Sequence, residues 1–107
     1  MNVEEIRDFA LSMKDVTESF PFGIDTLVFK IFNKIFLLVS LSSEILQFNV
    51  KCNPEEAVEL REQYSCILPG YHMNKKHWNT IIVDGQLSSG QLRNFVSNSY
   101  KLVRGKK

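Results

Sequence analysis

The run Ile35-Phe36-Leu37-Leu38-Val39-Ser40-Leu41 constrains the fold more than any other stretch. It is apolar at almost every position, so it cannot alternate between a wet face and a dry one. It predicts a central strand covered on both sides for part of its length. Short turns bound it: Asn33-Lys34 before, where asparagine tolerates the positive φ of a tight hairpin, and Ser42-Ser43 after. The flanking segments do alternate. Leu27–Phe32 puts Leu27, Phe29 and Ile31 on one face and Lys30 on the other. Glu44–Lys51 puts Leu46, Phe48 and Val50 inward and Gln47, Asn49 and Lys51 outward. Three strands joined this way make an antiparallel meander.

Helical periodicity surrounds the meander. Asn2 with Glu5 three residues on forms a capping-box-like pair. Val3, Ile6, Ala10 and Met13, widened by Phe9, give a stripe that should end near Lys14. Ser19-Phe20-Pro21-Phe22-Gly23 then reads as an irregular link. Asn53-Pro54-Glu55-Glu56 starts a second helix with a cap, a proline at the first position and acids favoured by the helix dipole; Ala57, Leu60 and Tyr64 face inward. Ile67-Leu68 is a short extended piece, and Trp78–Val83 a strand closed by Asp84-Gly85. Ser88 and Gln91 open a last helix with Leu92, Phe95, Val96, Ser99, Leu102 and Val103 at helical spacing and Arg104, Lys106 and Lys107 at its end. The order α-β-β-β-α-β-β-α predicts a two-layer α+β fold, with helices on one face of an antiparallel sheet. Residues 1–107 are read as one domain, since no repeat, linker or low-complexity tract divides them.

Composition narrows the class. The balance of 44% hydrophobic and 23% charged residues is that of a globular chain. No apolar run approaches the roughly 18–20 residues that span a bilayer. The acidic start Met1-Asn2-Val3-Glu4-Glu5 lacks the order of a secretory signal, so a cytoplasmic protein without membrane contact is expected. Cys52 and Cys66 have no CxxC partner and fit no standard zinc spacing, with or without His72 and His77. They are read as free, partly buried thiols, and neither metal nor cofactor is expected. The net charge of +1 hides an asymmetry: residues 1–62 carry six basic and eleven acidic side chains, residues 63–107 seven and one. Such a split can mark an anion-facing surface or merely complementary faces of one domain.

The chemically richest stretch is Pro69–Thr80, which holds both histidines, the single tryptophan and the pair Lys75-Lys76. No GxGxxG, P-loop, GxSxG or HExxH is present, and Glu55, Glu56, Glu59 and Glu62 lie on and around an exposed helical face, so no enzymatic activity is expected. Binding is better served. His72, Lys75, Lys76 and His77 cluster where the chain turns into a strand, and Lys30, Lys34 and Lys51 belong to the same sheet. Lysines at turns reach phosphates as point charges, Asn74 and Asn79 offer hydrogen bonds, and Trp78 is either a stacking platform or a core anchor.

The whole chain resembles the MmcQ/YjbR family of small bacterial proteins. The resemblance rests on Phe20-Pro21-Phe22-Gly23, on Lys51-Cys52-Asn53-Pro54-Glu55, on Leu60-Arg61, on Pro69-Gly70-Tyr71-His72-Met73-Asn74-Lys75 running into His77-Trp78-Asn79, and on Ser99-Tyr100-Lys101-Leu102-Val103. Asn33 stands where the family often has glycine, and the tail after Val103 is short. The resemblance implies a two-layer α+β fold and binding of double-stranded DNA, with two hairpin-like protrusions acting as wings. Here these are the turn at Asn33-Lys34 and the loop Asn74-Lys75-Lys76. The expected nucleic-acid-binding residues are Lys30, Lys34, His72, Asn74, Lys75, Lys76, His77, Trp78 and Asn79. The alternative is a small-molecule or protein-binding module with Tyr71, His72, Trp78 and Tyr100 around a pocket.

Overall fold

A computed structural model describes residues 1–70 and 73–105; Tyr71, His72, Lys106 and Lys107 lie outside the described residues. The fold is α+β. Strands β1 (Val16–Ser19), β2 (Thr26–Ile31), β3 (Lys34–Ser40), β4 (Gln47–Lys51), β5 (Ile67–Pro69) and β6 (Trp78–Ile82) form one sheet in the order β1-β2-β3-β4-β6-β5. Every pairing is antiparallel. Helices α1 (Val3–Leu11), α2 (Pro54–Gln63) and α3 (Ser89–Arg104) cover one face.

The three helix starts form as their sequences dictate. Asn2 Oδ1 accepts the Glu5 N–H at 2.9 Å, and Asn53 Oδ1 accepts the Glu55 N–H at 3.1 Å. Ser88 and Gln91 complete a reciprocal capping box. One element departs from expectation. The first helix stops at Leu11, and Val16–Ser19 is an edge strand rather than the approach to a link. Asp15 at φ 64° turns the chain, and β1 then pairs along β2, from Val16 opposite Ile31 to Ser19 opposite Val28. Four residues with a single apolar side chain carry no readable period. Their extended state comes from the neighbouring strand and from Arg7 on α1, which grips Glu18 through two hydrogen bonds of 2.7 and 2.6 Å.

The apolar run in β3 is explained by a bulge. Phe29 lies opposite Leu37 but Lys30 opposite Ile35, which leaves Phe36 as the extra residue. Phe36 and Leu37 are both wholly buried in the helix-side core, and the Phe36 ring meets Tyr100 edge-on with centroids 5.4 Å apart. Ser99 of α3 serves the backbone there: its hydroxyl donates to the Phe36 carbonyl at 2.5 Å and accepts the Lys51 N–H at 2.8 Å. Ile6, Ala10, Ala57, Leu92 and Val96 complete this core against Phe29, Phe48, Val50 and Ile81. On the helix-free face, Trp78 packs with Val28 and Leu38, flanked by Ile35 and Met73. The central strand is thus covered on both sides over part of its length. Among the described residues no helix is long and apolar enough to cross a membrane.

Candidate nucleic-acid interface

The register gathers the lysines at one end of the sheet. Lys34 opens β3 opposite Ile31, β4 ends at Lys51, and Lys51 faces Trp78, the first residue of β6. The β2–β3 turn and the segment entering β6 therefore protrude from the same end. Phe32 and Asn33 have φ of 51° and 63° and are the two left-handed residues of a tight hairpin turn, so the turn lies one residue earlier than the expected Asn33-Lys34, and Lys34 is the exposed first residue of β3 beside it. In the second protrusion Asn74 is structural. Its side chain accepts the Lys76 N–H at 2.9 Å, and its carbonyl accepts from the N–H groups of His77 at 3.2 Å and Trp78 at 2.9 Å. That turn presents Lys75 and Lys76 to solvent. β3 and β6 are two strand spacings apart, so the two basic tips stand on the order of 10 Å from each other.

The other expected site residues divide between surface and interior. Lys30 and Lys51 are half-buried on the helix-free face, and His77 is half-buried with its carbonyl accepting the Cys52 N–H at 2.7 Å. Trp78 is only 9% exposed, so its ring is a packing anchor and not a stacking platform for a base. Asn79 is wholly buried on the helix side, where its amide donates to the Ala57 carbonyl at 3.3 Å and to Cys52 Sγ at 3.8 Å. Strand alternation forces this: if Trp78 covers the open face, Asn79 must point beneath the helices. Asn79 shapes the site from within and does not reach a duplex. His72 lies outside the described residues, as does Tyr71. Tyr100 belongs to the helix-side core and donates to the Lys14 carbonyl at 2.7 Å, so the sheet separates it from Trp78 and the two share no pocket.

A second feature was not read from the sequence. On the helix-free face a groove of about 730 Å³ runs over β3, β4 and β6, with Leu38, Gln47, Asn49 and Thr80 on its floor and Phe22 and Met73 at its sides. Its sequence signal was the pair of outward amides Gln47 and Asn49 in β4.

Neither thiol is poised for chemistry. Burial pushes Cys52 up to about 11, helped by Glu56 and opposed by Arg61 and the Asn79 amide. Burial and then Asp84 raise Cys66 as well. A thiol whose native pKa is raised stabilises the fold below the unfolded value and loses that contribution as pH climbs toward the native one. We expect iodoacetamide at pH 8 to modify neither cysteine in the native protein and both after denaturation, read by intact mass.

The chain matches the family model YjbR over residues 11–102. It is 37% identical over 100 residues to the uncharacterized protein YbdF of Escherichia coli O157:H7, covering 94% of this chain and 82% of that one. With the uncharacterized protein YjbR of Escherichia coli K12 it shares 28% identity over 101 residues, 94% of this chain and 86% of the relative. Among solved structures, the Deinococcus radiodurans protein DR2400 superposes with a TM-score of 0.91 at 35% identity, covering 98% of this chain and 80% of that one. A Pseudomonas syringae protein superposes at 0.84 with 26% identity, covering 97% and 100%. The chain is a member of the YjbR family.

Proposed function

We propose that this protein is a non-enzymatic, cytoplasmic DNA-binding protein that grips duplex phosphates with the lysine-bearing end of its sheet. The observation that carries the reading is the shared end: the strand register places Lys34 on one protrusion and Lys75 and Lys76 on another. Their separation, on the order of 10 Å, is close to the roughly 12 Å width of a major groove. Lys30 and Lys51 extend the positive surface onto the adjoining face. Arg104 at the end of α3 is occupied elsewhere, its guanidinium lying 5.5 Å from the centre of the Tyr100 ring. Glu55 and Glu56 in the first turn of α2 follow closely on Lys51 and temper the field.

Binding resting on few lysines and a net charge of +1 is weak, insensitive to sequence and steep in salt. With three phosphate contacts, affinity for a random duplex should fall about 40-fold between 50 and 200 mM salt. Fluorescence anisotropy of a labelled duplex measures this. The double variant Lys75→Ala/Lys76→Ala should bind more weakly and flatten the salt slope by up to about 2. An unchanged slope would remove these lysines from the interface, and no binding of the native protein at 50 mM salt would end the DNA reading.

A further inference from the structure

We propose that the groove on the helix-free face is a binding site for an uncharged, planar nitrogen heterocycle with an amide-like edge, of the kind a nucleobase presents. The site is distinct from the lysine tips and stands without the DNA reading.

Its floor is built in two rows across the strands. Leu38, Asn49, Thr80 and Leu68 lie opposite one another across β3, β4, β6 and β5, and Thr26, Ser40 and Gln47 form the next row. All of them border the groove, and no Asp, Glu, Lys, Arg or His does among the described residues. An ionic ligand would find no compensating charge among these described residues, so they favour an uncharged ligand over a carboxylate or phosphate. A sheet offers a broad, shallow floor that suits a flat molecule. Phe22 and Met73 supply apolar flanks, and Phe22 is 65% exposed without a ligand. The volume of about 730 Å³ falls within the roughly 300–1,000 Å³ usual for small-molecule sites.

The polar groups are held in place by one another. Thr80 Oγ1 donates to Asn49 Oδ1, which fixes the carboxamide plane and leaves both Asn49 Nδ2 protons unused among the described residues. Gln47 Nε2 donates to Ser43 Oγ at 2.6 Å, and Ser43 pairs with Ser40 at 2.7 Å, so among the described residues Gln47 Oε1 is left as an acceptor. A donor at Asn49 and an acceptor at Gln47, two residues apart on one strand face, stand roughly 7 Å from each other. Heterocycles carrying both carbonyl and amino or imino groups match such a pair, whereas hydrocarbons leave it unsatisfied. Phe22 adds a face for stacking.

Trp78 provides a native reporter. It packs on Leu38, which lines the floor, and beside Met73, which lines the wall. The experiment is a titration of Trp78 emission with adenosine, guanosine, cytidine and uridine, with benzoate as an anionic aromatic control. A second arm uses a short single-stranded oligonucleotide carrying the same bases. We expect saturation with at least one nucleoside and none with benzoate. Saturation by free nucleosides assigns the heterocycle to small metabolites; saturation by the oligonucleotide alone assigns it to bases of a strand.

Asn49→Asp keeps the oxygen that accepts from Thr80 and removes the donor, and should weaken binding about tenfold. Gln47→Met, which keeps the length of the side chain and removes the acceptor oxygen, tests the acceptor in a second background. Lys75→Ala/Lys76→Ala should leave nucleoside binding unchanged, which separates this site from the proposed DNA interface. Absence of any saturable change up to millimolar nucleoside and oligonucleotide, or native affinity in both Asn49→Asp and Gln47→Met, would overturn the assignment.

Discussion

Ser99→Ala is expected to lower folding stability by about 2–4 kcal/mol, because it strands two buried backbone groups at once. The Ser99 side chain is wholly buried and joins the Phe36 carbonyl in β3 to the Lys51 N–H in β4. The β3–β4 ladder ends at Leu37 opposite Val50, next to the residue that bulges from the β2–β3 pairing, and the α3 hydroxyl bridges the two strands one position further on. Alanine removes one oxygen and leaves an acceptor and a donor in an apolar layer that water does not readily enter. Thermal unfolding should shift downward on the order of 10–20 °C. Ser97→Ala, on the same helix and only half-buried, is the comparison and should stay within about 0.5 kcal/mol. A Ser99→Ala midpoint indistinguishable from that of Ser97→Ala would mean that the bulge satisfies itself.

Gly70→Ala has an expected cost of about 1–3 kcal/mol from overpacking. Space is the difficulty here, not backbone dihedrals. A Cβ on Gly70 would stand 2.7 Å from Trp78 Cβ, 3.0 Å from the Trp78 carbonyl and 3.2 Å from Met73 Cβ. The close approach is fixed by the hydrogen bond from the Gly70 N–H to the Trp78 carbonyl at 2.9 Å. Relief requires β5 and the start of β6 to separate, which moves Trp78 off Val28 and Leu38. Differential scanning calorimetry gives the stability loss, and a red shift of Trp78 emission reports the displaced ring. Gly90→Ala in the first turn of α3 meets nothing nearer than 3.8 Å and should stabilise slightly, so the two glycines separate crowding from loss of flexibility. An undisplaced emission maximum in Gly70→Ala would show that the junction yields elsewhere.

Gly70→Ala bears on the proposed function because the loop with Lys75 and Lys76 is carried by the Gly70–Trp78 junction. Gly70→Ala alters the placement of that loop without removing a charge. It therefore separates the geometry of the two tips from their electrostatics.

Local rules carried much of the fold. Asn2, Asn53 and Ser88 cap helices wherever they occur in such a context, since the bonds they make close within three residues. The alternation in Leu27–Phe32 and Glu44–Lys51 and the turn at Asn33 likewise need no distant partner. The family resemblance in Phe20-Pro21-Phe22-Gly23 and in Pro69–Asn79 led to the same family that the matches show. The exposed lysines of the two tips were also accessible from sequence, because turns bring their side chains to solvent.

Other features depend on residues far apart in the chain. β1 is a strand only because β2 lies beside it, and four residues hold too little apolar surface to announce it. The double burial of Phe36 and Leu37 follows from a bulge that a period of two cannot reveal. Whether Trp78 or Asn79 faces the helices is a matter of register, and a shift of one residue would exchange them. The groove arises when Asn49, Thr80 and Leu38 become neighbours across three strands. Propensity, capping and turn chemistry act over a few bonds and are written in the chain itself. The facing of side chains and the meeting of distant polar groups are set by strand pairing and packing, and those exist only once the sheet has formed.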